Sequence, residues 1–268
     1  MFDLSGQVAL VTGAASGLGL AFTEVLAENG ARVMLVDANG QTLNEQVARL
    51  KQAGYEVAGA QADVTDYAEL KQAFDAVVAK WGKLDICFAN AGISGGLGIL
   101  DGPGAIENVS LDSYLKVIGV NQHGVVHTLQ LAAQKMIPNK YGRIIVTSSI
   151  AGLAAEMTSY AYSTSKAAVA HVTKMAARQL AQHNIMVNAI APGPFQTNIG
   201  GGQLGVRNDI VERFEAIVPQ HRMARPDEIK GLALLLASPA ASYISGAVIP
   251  IDGGALTNRV SRTAPRPQ

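Results

Sequence analysis

Short apolar runs alternate with stretches of helical period along almost the whole chain. Gln7-Val-Ala-Leu-Val-Thr12 is a continuous apolar run ending at a glycine turn, the mark of a strand buried on both faces. A helical stretch follows over about 17–29, then Gly30. Arg32–Asp37 predicts a second strand, 40–53 a helix, Val57–Ala62 a third strand, 66–81 a helix and 84–89 a fourth strand. Beyond a glycine-rich loop, 112–136 predicts one long helix stopped by Pro138. Then come a strand at 142–147, a long helix at 160–182 and a strand at 185–191 that ends at Pro192-Gly193. A helix near 226–237 and a strand near 247–251 close the series. Seven such units predict one α/β domain over residues 1–254, a doubly wound parallel sheet of seven strands with helices on both faces and right-handed crossovers. Residues 255–268 are polar and Pro-rich, and predict a mobile tail.

Tyr162 and Lys166 stand at i and i+4 on the helix expected at 160–182, so both side chains share one face. A phenol beside an ammonium is a proton-transfer device, because the cation favours the ionised phenol. Ser149 lies thirteen positions before Tyr162. Thr12-Gly13-Ala-Ala-Ser16-Gly17-Leu18-Gly19 leaves the first strand and opens the first helix. Glycines there let the backbone approach a pyrophosphate, and the helix start offers free N–H groups. Asp37 ends the second strand, where a carboxylate can accept both hydroxyls of an adenosine ribose and would repel a 2′-phosphate. The turn holds no Lys or Arg, and Ala38-Asn39 are neutral, so the expected cofactor is NAD.

Composition narrows the partners. Positive and negative residues balance at 21 each, which gives no electrostatic case for nucleic acid or an anionic membrane. No apolar run approaches the ~20 residues of a membrane span. Hydrophobic residues make up 49% and mean hydropathy is +0.19, in keeping with a sheet covered on both faces. The single cysteine, Cys87, sits in an apolar strand and reads as core. The N-terminus shows no basic and apolar leader, so a cytoplasmic enzyme is expected.

Ser149, Tyr162 and Lys166, taken with the Gly-x-x-x-Gly-x-Gly spacing of the turn, resemble the short-chain dehydrogenase/reductase family over Gly6 to about Gly254. The resemblance implies a Rossmann fold and an NAD-dependent oxidoreductase that interconverts a secondary alcohol and its ketone without a metal. It makes Tyr162 the general acid/base, Lys166 the group that lowers its pKa and binds the nicotinamide ribose, and Ser149 the holder of the substrate oxygen. It makes Asn121 the residue that distorts the long helix and holds a water beside Lys166. Gly13, Ser16, Gly17, Leu18 and Gly19 would meet the cofactor, as would Asp63 and Val64 at the adenine. Asn90, Ala91 and Gly92 would lie close to it, Asn90 tying neighbouring strands together. Pro192, Gly193, Phe195 and Thr197 would hold the nicotinamide end. Ser148 is excluded, since adjacent side chains of a strand face opposite ways, and His123 and His127 read as structural. Phe195 departs from the aliphatic residue usual there and is expected in the pocket wall.

The expected substrate pocket draws on Ser94, Ala151, Glu156, Met157 and Leu204, with a lid over about 194–222. Its small and apolar residues favour a medium-sized, largely apolar alcohol or ketone. The resemblance also implies a homotetramer built on the two long helices. Alternative functions are reduction of a 3-oxoacyl thioester and a non-catalytic dinucleotide sensor or scaffold.

Overall fold

The structure is a computed structural model and describes residues 1–95, 104–155, 158–197 and 208–257. Seven strands form one sheet: β1 (Val8–Thr12), β2 (Arg32–Asp37), β3 (Val57–Gln61), β4 (Ile86–Ala89), β5 (Gly142–Thr147), β6 (Ile185–Pro192) and β7 (Val248–Ile251). Their order is β3-β2-β1-β4-β5-β6-β7, and every pairing is parallel. Every residue of β1, β4 and β5 is buried, which explains why those segments are largely apolar, with Thr12, Arg143 and Thr147 as buried polar exceptions. At the edge, β3 alternates instead.

Two cores sit on the two faces. On one, Phe22, Val25 and Leu26 of α1 (Gly17–Glu28) pack with Leu43 and Leu50 of α2 (Gly40–Gln52) and with Ala233 and Leu236 of α8 (Lys230–Ala237). Phe22 and Phe88 meet there at 4.7 Å between ring centroids. On the other, Leu70, Phe74 and Val77 of α3 (Tyr67–Trp81) pack with Val125 and Leu129 of α5 (Gly124–Met136) and with Val169 and Leu180 of α6 (Tyr160–Leu180). Cys87 lies in this second core, where burial pushes its thiol well above the ordinary range and out of reach of chemistry.

The chain leaves β1 in one direction to build β2 and β3, then crosses to place β4 on the other side of β1. Connections therefore diverge above the C-terminal ends of β1 and β4, and a crevice opens there.

Three elements differ from the expected pattern. The long helix is interrupted: α4 (Leu111–Ile118) gives way to a π-helical turn at Gly119–His123 before α5 begins. The helix expected near 226–237 starts as a 3₁₀ turn at Pro226–Ile229. Within the expected lid, Asn208–Ile217 forms a further helix, α7.

Candidate active site

The turn after β1 is closed so tightly that a Cβ on Gly19 would stand 1.9 Å from the Gly13 carbonyl oxygen. Gly13 and Gly17 adopt φ of +65° and +53°, the left-handed region. Helix α1 starts directly from this turn. Its N-cap, Ser16, makes no side-chain capping bond, and no acidic residue stands in the first turn. The helix start therefore keeps N–H groups and positive potential for an anion. Thr197 lies across the turn, its methyl carbon 3.6 Å from the Cβ position of Gly17.

Asp37, at the end of β2, points back to the turn. Its Oδ2 accepts the Ala15 N–H at 3.0 Å and its Oδ1 the Asn39 N–H at 3.0 Å. One carboxylate thus holds the turn in shape and keeps lone pairs for a ligand. Asn90, just past β4, spans three strands: Nδ2 donates to the Thr12 carbonyl at 3.0 Å, and Oδ1 accepts from Thr147 Oγ1 at 3.0 Å. Thr12 Oγ1 completes this link by accepting the N–H groups of Asn90 and Ala91.

Asn121 is fully buried inside the π turn. Its Oδ1 accepts the Ile93 N–H at 2.8 Å and its Nδ2 donates to the Ile93 carbonyl at 2.9 Å. The extra residue of the π turn turns a polar side chain inward that a regular helix would aim elsewhere, and π turns recur at functional sites. A Cβ on Gly92 would stand 3.2 Å from Asn121 Oδ1 and 3.4 Å from Lys166 Nζ, so both groups converge on this loop.

Past β5 the two serines part. Ser148 Oγ donates to the Lys166 carbonyl at 2.9 Å, whereas Ser149 Oγ donates to the Pro192 carbonyl at 3.5 Å and lies near enough to Tyr162 to favour its ionised phenol. Lys166 is 2% exposed, donates from Nζ to the Thr147 carbonyl at 2.8 Å, and lies 5.7 Å from the Tyr162 ring centroid. Burial without a carboxylate partner pushes its pKa down to about 8. Burial also holds the Tyr162 phenol above its ordinary value, opposed by Ser149. In the free protein, then, burial is the larger influence on that phenol.

The chain's likeness to known proteins agrees with this geometry. Residues 13–256 match the family described as enoyl-(acyl carrier protein) reductase. Cyclohexanol dehydrogenase of Rhodococcus sp. (strain TK6) is 36% identical, over 94% of this chain and 96% of its own length. A 2,5-dichloro-2,5-cyclohexadiene-1,4-diol dehydrogenase of Sphingobium indicum is 34% identical, over 94% and 96%. The crystal structure of a gluconate 5-dehydrogenase from Burkholderia cenocepacia J2315, in complex with NADP and tartrate, superposes with a TM-score of 0.87 at 30% identity, over 96% of this chain and 97% of that one. The chain belongs to the short-chain dehydrogenase/reductase family.

For a short-chain dehydrogenase/reductase, the remaining expected positions fall as follows. Asp63 is exposed and its Oδ1 accepts from both the N–H and the hydroxyl of Thr65 at 2.8 Å. Val64 is buried, and its carbonyl meets His127 Nδ1 at 3.0 Å, which gives His127 a structural place. Ala151 is buried and donates its N–H to Ser149 Oγ. Ser94 is half-buried in the loop after β4. Glu156, Met157 and Leu204 lie outside the described residues. Pro192 closes β6, and the Gly193 N–H donates to the Ile251 carbonyl at 3.0 Å.

Phe195 is held largely by the core. Its ring is 5% exposed and packs in the α1–α8 core, while Phe195 also borders a small cavity with Pro194, Val218 and Ile251. A bridge to Ala224 uses the Gln196 N–H and the Pro194 carbonyl, leaving Phe195's own backbone groups on the other edge. Two contributors are absent from the sequence-based expectation: Thr12, which organises the Asn90 link, and Ser165, which receives a bond from Asn121 Nδ2 at 3.2 Å. Ser165 adjoins Lys166, and that adjacency is a signal that could find it. Thr12 Oγ1 acts across strands and leaves no local sign.

A cavity of about 490 Å³ lined by Gly17, Leu20, Gln196, Thr197 and Arg225 borders the glycine turn and α1. Tyr162 and Ser149 do not line it, so hydrogen-bond geometry, not cavity size, locates the chemistry. Among the described residues no group of three or more His, Cys, Asp or Glu is placed to hold a metal ion. None of their helices is long and apolar enough to cross a membrane.

Proposed function

We propose that this enzyme uses NAD to interconvert a medium-sized, largely apolar secondary alcohol and its ketone. The observation that carries the reading is the convergence of Lys166 on the Tyr162 ring and of Lys166 and Asn121 on Gly92, in a fold whose first turn at Gly13 and Gly19 has room only for a backbone. The turn at Gly13–Gly19, with the start of α1, would hold the pyrophosphate, and Asp37 the adenosine ribose. Asp63 and Val64 would border the adenine, and Asn90, Ala91 and Gly92 the body of the cofactor. Pro192, Gly193, Phe195 through its backbone, and Thr197 would hold the nicotinamide end. Bound NAD supplies the carbon that takes the hydride from the carbinol carbon.

The protein supplies the proton chemistry. Ser149 holds the substrate oxygen and stabilises charge on it. Tyr162 takes the hydroxyl proton in oxidation and returns it in reduction. Lys166, in its charged form, stabilises the phenolate and reaches the nicotinamide ribose. Asn121 fixes the loop at Ile93 and supports a water on the proton's path. Initial rates over a panel of secondary alcohols headed by cyclohexanol, followed as NADH, test the reading. Absence of turnover across the panel in protein that binds NADH would refute it. Reduction of an acetoacetyl thioester faster than any ketone would favour reduction of a 3-oxoacyl thioester instead.

Preference for NAD over NADP should be at least about tenfold in kcat/KM, which needs only ~1.4 kcal/mol. A 2′-phosphate would stand against the Asp37 carboxylate, and two anions about 4 Å apart cost on the order of 4 kcal/mol at an effective dielectric near 20, before salt screening. Because Asp37 also bonds the Ala15 N–H, Asp37→Ala would loosen the turn as well as remove the charge. Asp37→Asn keeps an acceptor and removes the charge, and should narrow the preference. Equal kcat/KM for both cofactors in the wild type would exclude Asp37 as the selector.

A homotetramer accompanies this reading. Leu111 and Leu115 on α4 are 67% and 55% exposed, and Met175 on α6 is 62% exposed. A second copy of the chain would cover these faces. Light scattering at micromolar concentration should give four times the chain mass, and a monomer would refute the assembly.

A further inference from the structure

We propose that Ser159 is a positioning residue that bolts the helix carrying Tyr162 to the loop on the other side of the cleft. This inference rests on the reading of Tyr162 as the acid/base.

Ser159 precedes α6 and its Oγ accepts the Tyr162 N–H at 3.2 Å. The same hydroxyl donates its proton to the Ser94 carbonyl at 3.2 Å. One lone pair and the single proton are thus spent on two different elements. An ordinary N-cap needs only the first bond. The loop that receives the second bond is the one Asn121 grips at Ile93, so successive residues, Ile93 and Ser94, are fixed from α6 and from the π turn. Gly95 then has φ of +78°, and a Cβ there would stand 2.8 Å from both Ser159 Oγ and Val117 Cγ2. The hydroxyl is therefore enclosed against the loop and has little room to turn elsewhere. Since Gly92 of this loop borders Lys166 Nζ and Asn121, its distance from α6 sets the width of the site at the reacting atoms.

Three variants separate the bolt from the cap. Ser159→Ala loses both bonds. Ser159→Asp keeps the acceptor for the Tyr162 N–H, suits the helix start by charge, and has no proton for Ser94. Ser159→Thr keeps both. With the best alcohol of a panel headed by cyclohexanol, Ser159→Ala and Ser159→Asp should each lower kcat about tenfold or more, since small misplacements of reacting groups carry large rate losses. KM for NAD should stay within about twofold, because the adenosine end is remote from Ser159, and Ser159→Thr should restore kcat to within about threefold. Melting temperature should fall for Ser159→Ala but not for Ser159→Asp. Wild-type kcat in Ser159→Asp would reduce Ser159 to a helix cap and overturn the proposal, even if Ser159→Ala does not fold. Tyr162→Phe, run beside them, distinguishes the two readings. If it is inactive while Ser159→Asp turns over normally, only the bolt fails; if it is active, the acid/base reading fails too.

Discussion

Tyr162→Phe should lose turnover by roughly 10²–10⁴-fold, the range in which a positioned acid/base acts, while still binding NADH. The change removes one oxygen. The ring remains to pack beside Lys166, and Ser149 keeps its bonds to Pro192 and Ala151. The same site predicts a pH limb. Reduction needs Tyr162 protonated and Lys166 charged. Burial keeps the phenol protonated past its usual range, whereas Lys166 sheds its proton near pH 8. In the free enzyme kcat/KM for ketone reduction should therefore fall as pH rises through about 8. Activity of Tyr162→Phe within a few-fold of wild type would refute its role, and a flat profile to pH 10 would place the lysine's titration elsewhere.

Lys166→Met should be as inactive as the tyrosine variant, and its stability should reveal the cost of burying the cation. The folded pKa of about 8 lies below the ordinary lysine value of 10.5. Below pH 8 both folded and unfolded chains hold the proton, and the burial penalty is present in full. Between the two values the unfolded chain binds more protons than the folded one, so wild-type stability rises with pH. Methionine has no such titration. Urea denaturation at pH 7 and pH 10 should therefore show wild type gaining on Lys166→Met by a few kcal/mol, since each tenfold weakening of proton binding on folding corresponds to about 1.4 kcal/mol. Parallel behaviour at the two pH values would mean that the ammonium is better solvated than its burial indicates.

Much of this arrangement is legible in the chain. Parallel strands buried on both faces write themselves as largely apolar runs, and all seven strands lie where the sequence predicts them, including the alternating edge strand β3. Tyr162 and Lys166 can be paired because the helix period places them on one face, whereas Ser149 joins them through the resemblance to the family. The helix Asn208–Ile217 has Ile210, Phe214 and Ile217 at helical spacing, but the glycines of 200–205 make the whole segment resemble a loop. The burial of Phe195 has no local sign, since its ring is claimed by α1 and α8, which are far away in sequence. Nor can residue spacing give the balance between burial and cation at Tyr162, which depends on how dry the finished site is.

The π turn makes the site depend on a length as well as on identities. A π turn amounts to one residue inserted into a regular helix. Removing any one of the five residues Gly119–His123 would let α4 and α5 join as a continuous helix. Such a deletion need not disturb the two cores, but it would swing Asn121 off Ile93 or remove it altogether, and the loop after β4 would lose that anchor. The inverse also holds. Asparagine placed at the corresponding point of an uninterrupted helix would not recreate the contact, because the register that aims it would be missing. For anyone transplanting this site to another scaffold, the piece to carry over is the inserted residue as much as the asparagine.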